Sequence, residues 1–253
     1  MAQAIQYARP PGFLKLISHP MRWNLLQLLA RSDLRVQELV QGTGEAQNLV
    51  SYHLQALRQQ DVITSHHSIA DGREVYYSLN MDRVRSLYRA SGEALHPALG
   101  ERASLPSAGL GEAARVLFLC THNSARSQMA EGLLRARSNR QVEVYSAGTE
   151  PTEVHPLAIR ALSEMDIDIR RHGSKGMETF LDQAFDYIIT VCDRAREACP
   201  TFPGDPAKIH WSLPDPAAVE GPAAERFDAF RKTAIQLNTR IGYLLLMIQR
   251  EQA

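Results

Sequence analysis

The chain has 253 residues, 44% hydrophobic and 22% charged, a composition that builds packed cores and excludes a mainly disordered or fibrous protein, at a length suited to two domains. Lys plus Arg and Asp plus Glu each number 28, so a polybasic whole-chain nucleic-acid binder is excluded while a local basic face is not. No apolar run approaches the roughly 20 residues of a membrane span, the first residues lack the regions of a signal peptide, and three cysteines do not make a secreted disulfide framework, so a soluble, cytoplasmic protein is expected.

The first hundred residues open with three short helical patterns. Phe13, Leu14, Leu16 and Ile17 lead to a break at Pro20; Leu25, Leu26, Leu28 and Leu29 follow, then Val36, Leu39 and Val40, ended by Gly42 and Gly44. From 46 to 60, Leu49, Val50, Leu54 and Leu57 fall near one helical face, with Gln47, Asn48, Ser51, Tyr52 and His53 around them. A hairpin is expected next, from Thr64 to Ile69 and from Glu74 to Leu79, turning at Asp71-Gly72. Helices followed by a two-stranded wing make a winged helix-turn-helix.

The run from Leu14 to Asn80, "LKLISHPMRWNLLQLLA…VQELV…QNLVSYHLQALRQQDVI…DGREVYYSLN", resembles the ArsR/SmtB family of dimeric bacterial repressors over about residues 10–90. The resemblance implies operator DNA as a partner and a homodimer formed through this domain. It also makes Gln47, Asn48, Ser51, Tyr52 and His53 base-facing candidates, and Arg73 on the wing suits phosphate. The inducer sites of the family are missing: the stretch from Asp33 to Val40 carries no thiol, His96 stands alone, and His66 and His67, adjacent on one strand, point to opposite faces. A winged helix as a protein-interaction module is the other reading.

Residues 96–114, with Pro97, Gly100, Pro106, Ser107, Gly109 and Gly111, read as a linker. The expected domains are therefore 1–95 for DNA binding and dimerisation, and 115–253 for chemistry. All three cysteines lie in the second.

That domain begins with the apolar run from Val116 to Leu119, suited to a buried parallel strand. Cys120-Thr121-His122-Asn123-Ser124-Ala125-Arg126-Ser127 follows, then a helix from Gln128 to Ala136. A Cys-x5-Arg loop between strand and helix presents backbone N–H groups and a helix N-terminus to a tetrahedral oxyanion. The same field is expected to favour the Cys120 thiolate as nucleophile. Arg126 offers a planar clamp for the oxyanion, and Ser127 a hydrogen bond to sulfur.

Downstream, 142–146, 186–191 and 209–213 read as strands and 156–165 as a helix. Phe227, Phe230, Ala234, Leu237, Ile241, Leu244 and Ile248 mark a final helix expected to pack on the sheet. The fold class is therefore two domains, a mainly α winged helix-turn-helix and an α/β domain with a four-stranded parallel sheet and helices on both faces. Asp215, in Asp215-Pro216 after the last strand, is a candidate general acid.

These elements resemble the low-molecular-weight protein tyrosine phosphatase fold. Phosphatases of that fold usually carry a second loop cysteine and tyrosines after the Asp-Pro, where this chain has Ala125, Ala217 and Ala218. "THNSARSQMAEG", "YSAGT", "VCDRAREACP" and "HWSLPDPA" instead resemble the thioredoxin-coupled arsenate reductases. The resemblance implies arsenate and arsenite as substrate and product, thioredoxin or another thiol as external reductant, and a relay through Cys120, Cys192 and Cys199. No tightly bound cofactor is implied. A potassium ion is, near Asn123, Glu131 and Ser146, although Gly173 stands where a hydroxyl residue is expected. Two other readings are a DNA-binding arsenic or redox sensor without sustained turnover, and a tyrosine phosphatase fused to a regulator.

Overall fold

A computed structural model describes residues 9–68, 70–96, 113–139 and 141–251. Two compact units are built largely from either side of residues 106 and 107. Of the expected linker, 97–112 lies outside the described residues.

The first unit runs α1 (Gly12–Ile17), α2 (Pro20–Leu29), β1 (Leu34–Arg35), α3 (Val36–Thr43), α4 (Gln47–Arg58), β2 (Ile63–His67), β3 (Val75–Leu79) and α5 (Met81–Leu95). Pro20 starts a helix as well as ending one, because its missing N–H falls at the first helical position while His19 Nδ1 accepts from the Met21 N–H at 3.2 Å. Gly44 ends α3 in the left-handed conformation, φ 71°. Leu25, Leu39, Val50, Leu54, Leu57, Val62 and Ile63 form the core. Leu49 does not join them. It is 39% exposed, since it lies on the rim of the stripe that Val50, Leu54 and Leu57 bury.

The wing pairs Ile63 with Leu79 through to His67 with Val75, antiparallel. Its connection is longer than a two-residue Asp-Gly turn: Ser68 Oγ accepts from the N–H groups of Ala70 and Asp71, and Asp71 Oδ1 accepts from that of Arg73. Side-chain acceptors take over the turn, as Ser and Asp favour. Two elements carry no signal in the apolar pattern. The two-residue β1 pairs with Tyr76 and Tyr77 of β3, and α5 is started by Asn80, whose side chain accepts from the Arg83 N–H.

The second unit contains β4 (Arg115–Cys120), α6 (Arg126–Arg137), β5 (Glu143–Gly148), α7 (Pro156–Ser163), β6 (Tyr187–Thr190), α8 (Asp193–Glu197), β7 (Ala207–His210) and α9 (Ala223–Glu251). The strands form one parallel sheet ordered β5-β4-β6-β7. Successive β4 side chains point to opposite faces, and Val116, Leu117, Phe118 and Leu119 are all buried, so both faces are covered. β7 starts and ends earlier than the apolar pattern of 209–213 implies. Trp211, Ser212 and Leu213 are buried just beyond it, so burial there comes from the loop's packing and not from strand pairing. The final helix packs chiefly on α6 and α7, and its apolar stripe joins the core of the sheet through them.

Leu54→Ala removes a fully buried side chain from the first unit's core and is expected to lower that unit's stability by about 2–5 kcal/mol, measured by urea unfolding followed by circular dichroism. A loss under about 0.5 kcal/mol, the level of an ordinary surface change, contradicts the core assignment.

Candidate active site

Cys120 ends β4, and the loop 120–126 runs from it into α6. The carbonyls of this loop are all tied away from its centre. Those of Cys120, Thr121, His122 and Ser124 accept from the backbone N–H groups of Thr149, Glu150, Thr152 and His155. Asn123 O accepts from Ser174 Oγ at 2.7 Å, and Ala125 O from the Met129 N–H at 2.8 Å. Across a trans peptide the carbonyl and the following N–H point oppositely, and no peptide bond here is cis. The N–H groups of residues 121–126 therefore converge on the inside, with the positive end of α6 behind them. Asn123 makes the tight turn at φ 45°, a conformation Asn tolerates, and its N–H lies 3.1 Å from Cys120 Sγ.

Gly148 permits this closeness. A Cβ there would stand 2.6 Å from Thr121 O and 2.8 Å from Asn123 N, so β5 can run beneath the loop only with glycine at its end.

Around the sulfur, Ser127 Oγ is 2.9 Å from Cys120 Sγ. Arg126 is buried and uses two of its guanidinium N–H groups on Leu213 O and Asp215 Oδ2, each at 2.9 Å. Asp215 also accepts from the Ala217 N–H at 3.1 Å, which fixes the carboxylate at the loop's mouth. Three guanidinium N–H groups are left for an oxyanion.

Opposing influences act on the Cys120 thiol. Burial pushes this thiol up and neighbouring Cys192 adds to the rise, while the Ser127 hydrogen bond and the Arg126 charge oppose it. Desolvation is the largest influence because Cys120 is only 3% exposed. Cys199 is half-buried, and its thiol is pushed up by burial too, against the lowering effect of Lys208.

Parallel pairing of β4 and β6 brings the second cysteine to the same end of the sheet. Leu119 pairs with Thr190, so Cys192 stands beside the loop, its sulfur 3.4 Å from Thr121 Oγ1. Functional groups gather here because adjacent parallel strands leave a crevice at their carboxyl ends. Cys199 follows across the short α8.

The potassium ion does not fit. Asn123 Oδ1 accepts from the Lys175 backbone N–H at 2.8 Å and from Gln128 Nε2 at 3.0 Å, so the amide presents Nδ2, a donor, to Ser127 and Ser146. Glu131 is bonded to Ser146 and Arg135, with Lys175 Nζ 3.5 Å from its Oε2. A further cation would meet two positive side chains and one donor. Sequence reasoning gave no role to Gln128 or Thr149, although both lie in the quoted motifs, and missed 150–155, Ser174 and Lys175; the 149–155 segment and Lys175 enter through backbone N–H groups, Ser174 and Gln128 through their side chains.

In the first unit, Gln47, Asn48, Ser51 and Tyr52 lie exposed on α4; Gln47 and Ser51, and Asn48 and Tyr52, are four residues apart and Asn48 and Ser51 three, so they are neighbours on the helix surface. His53 is not with them. It is 3% exposed and its ring centroid lies 4.4 Å from that of His19, because the next position round the helix turns into the core. Arg73 is exposed, with Asp71 3.7 Å away.

Residues 115–253 match the family model of the low molecular weight phosphotyrosine protein phosphatase, more than half of the chain. The chain belongs to that family. Residues 19–65 match the model of the bacterial regulatory protein, arsR family. Among curated relatives, an arsenate reductase of Halalkalibacterium halodurans is 39% identical over 126 residues, 50% of this chain and 91% of the relative. One of Staphylococcus xylosus is 41% identical over 121 residues, covering 48% and 92%. Among solved structures, a thioredoxin-dependent arsenate reductase of Corynebacterium glutamicum is 32% identical, covers 66% of this chain and 76% of its own, and has a TM-score of 0.45. Within the family, the second domain belongs with the arsenate reductases.

Because Ser127 lowers the Cys120 pKa and burial raises it, Ser127→Ala should move the pH profile of Cys120 alkylation to higher pH. The rate of iodoacetamide labelling against pH, in a chain whose other two cysteines are serine, reads this. An unchanged or lowered midpoint counts against the Ser127 hydrogen bond.

Proposed function

We propose that the chain is a bifunctional arsenic-resistance protein, a DNA-binding regulator joined to an arsenate reductase that works through a three-cysteine relay. The domains are 1–95 and 115–253 with a linker at 96–114. The observation that carries the relay is the position of Cys192 beside the Cys120 loop, with Cys199 next along a polar segment and half-buried.

The inward N–H groups and the Arg126 fork bind arsenate. Cys120 sulfur attacks arsenic, its proton passes by way of the Asp215 carboxylate to the departing oxygen, and that oxygen leaves as water. Cys192 thiolate then attacks the Cys120 sulfur. The sulfur–arsenic bond breaks with its electron pair left on arsenic, so arsenate becomes arsenite while a Cys120–Cys192 disulfide forms. Cys199 attacks Cys192, frees Cys120 and leaves a Cys192–Cys199 disulfide, which thioredoxin or a comparable dithiol reduces. The deep burial of Cys120 favours this order: such a nucleophile is better regenerated by an internal thiol than by a bulky external one.

The N-terminal domain binds operator DNA through the exposed face of α4, with Gln47, Asn48, Ser51 and Tyr52 toward the bases and Arg73 toward phosphate. As in the family it resembles, it does so as a homodimer.

Arsenate reduction by the full chain, followed as NADPH consumption with thioredoxin and its reductase, tests the enzymatic half. Cys120→Ser should abolish turnover, and Cys192→Ser and Cys199→Ser should stop it after at most one cycle. Sustained turnover without Cys120 removes the assigned nucleophile, absence of turnover in the folded chain favours a sensor, and faster phosphotyrosine hydrolysis favours a phosphatase. For the DNA half, Arg73→Ala should weaken binding similarly across sequences and reduce the slope of log affinity against log salt by about 1, read by fluorescence anisotropy. An unchanged slope takes Arg73 off the phosphate backbone.

A further inference from the structure

Glu131 lies in the middle of α6 with its side chain only 5% exposed, where an unpaired carboxylate is costly. Three groups answer it. Arg135 Nη2 donates to Oε1 at 2.6 Å, Ser146 Oγ donates to Oε2 at 2.6 Å, and Lys175 Nζ approaches Oε2 at 3.5 Å while also donating to Gly173 O at 3.1 Å. The lysine arrives there by construction. Its backbone N–H is held by Asn123 Oδ1 at 2.8 Å and its carbonyl by the Gly148 N–H at 2.9 Å.

We propose that Lys175 is a built-in cation for this site, a positioning residue whose ammonium takes the part of a dissociable monovalent ion beside Glu131. The proposal rests on the reading of Cys120 as the nucleophile. From the carboxylate, the hydrogen bonds have only one direction. Glu131 can only accept, so Ser146 spends its proton there and must accept from Asn123 Nδ2 at 2.8 Å. The same amide nitrogen donates to Ser127 Oγ at 2.8 Å, which leaves the Ser127 proton for Cys120 sulfur at 2.9 Å.

The orientation of Asn123 is decided by its surroundings. A flipped amide would set its NH2 against the Lys175 N–H and Gln128 Nε2, donor against donor. The flipped form is the one that would offer an oxygen to a metal ion. Lys175 thus acts twice, through its backbone by turning the amide away from metal ligation, and through its ammonium by supplying the charge. Its side chain is one-third exposed, so it reaches the buried carboxylate from the solvent edge without full desolvation of its own charge.

The test uses the full-length chain in potassium chloride and in tetramethylammonium chloride at equal ionic strength, with thermal unfolding and steady-state arsenate reduction as readouts. The wild type should melt at the same temperature and turn over equally in the two salts. Lys175→Met should melt about 2–4 °C lower, as expected for loss of one partly buried partner in a chain of this size, and lose kcat/KM, whereas Lys175→Arg should retain both. Adding Glu131→Gln to Lys175→Met should recover melting temperature, because an amide needs no counter-charge; a lysine that only packs predicts no recovery.

A potassium-specific rise in the melting temperature or turnover of the wild type overturns the proposal, and so does an unchanged melting temperature in Lys175→Met. The wild-type comparison stands even if a variant fails to fold. If the chain reduces no arsenate in either salt, the melting arm still decides the role of Lys175, and the failure belongs to the proposed reaction.

Discussion

Six consecutive carbonyls turned outward decide what the second domain can do. Backbone groups of 149–155, the Ser174 hydroxyl and the first turn of α6 hold them, and the converging N–H groups inside the loop are a consequence of peptide planarity. This is electrostatic preorganisation made from main chain, so its strength depends on how firmly the neighbouring segments are anchored. β5 supplies the anchor, with a glycine where it passes beneath the loop. Asn123 supplies the rest, joining Ser127, Ser146, Gln128 and Lys175 through one amide.

Cys120, the proposed nucleophile, shows the tension this creates. Burying Cys120 shields it from stray oxidants and from bulk water, yet burial also resists ionisation. The opposing influences are local: one hydroxyl, one guanidinium and the inward peptide dipoles. Cys192 raises the Cys120 pKa further, and the same nearness suits the proposed exchange between the two sulfurs. In the proposed relay the charge passes from one thiol to the next, so both are never required to be ionised together.

The winged-helix unit carries no cysteine, so arsenic recognition of the thiolate kind cannot reside in it. Its α4 face is polar and exposed at Gln47, Asn48, Ser51 and Tyr52, while His53 is buried against His19. The difference of one position is a rotation of about 100° around the helix, enough to move a side chain from solvent to core.

The two-unit architecture, the parallel sheet, the Cys-x5-Arg loop and the Asp-Pro carboxylate were legible from the sequence, because hydrophobic period and short motif spacing are local properties of the chain. The apolar run of 116–119 needed no partner to be recognised as a buried strand. Other features depended on residues far apart in sequence. β1 exists only because β3 pairs with it, and β7 ends before Trp211 because packing, not pairing, buries Trp211, Ser212 and Leu213. Glu131 also meets Lys175, 44 positions later, through the contact of a side chain that no motif marks. Sequence alone singled out the candidate groups for the chemistry, since residue identities and local spacing suffice for that. Tertiary structure decided their partners, because burial and hydrogen bonding are set by whatever else the fold brings within a few ångströms.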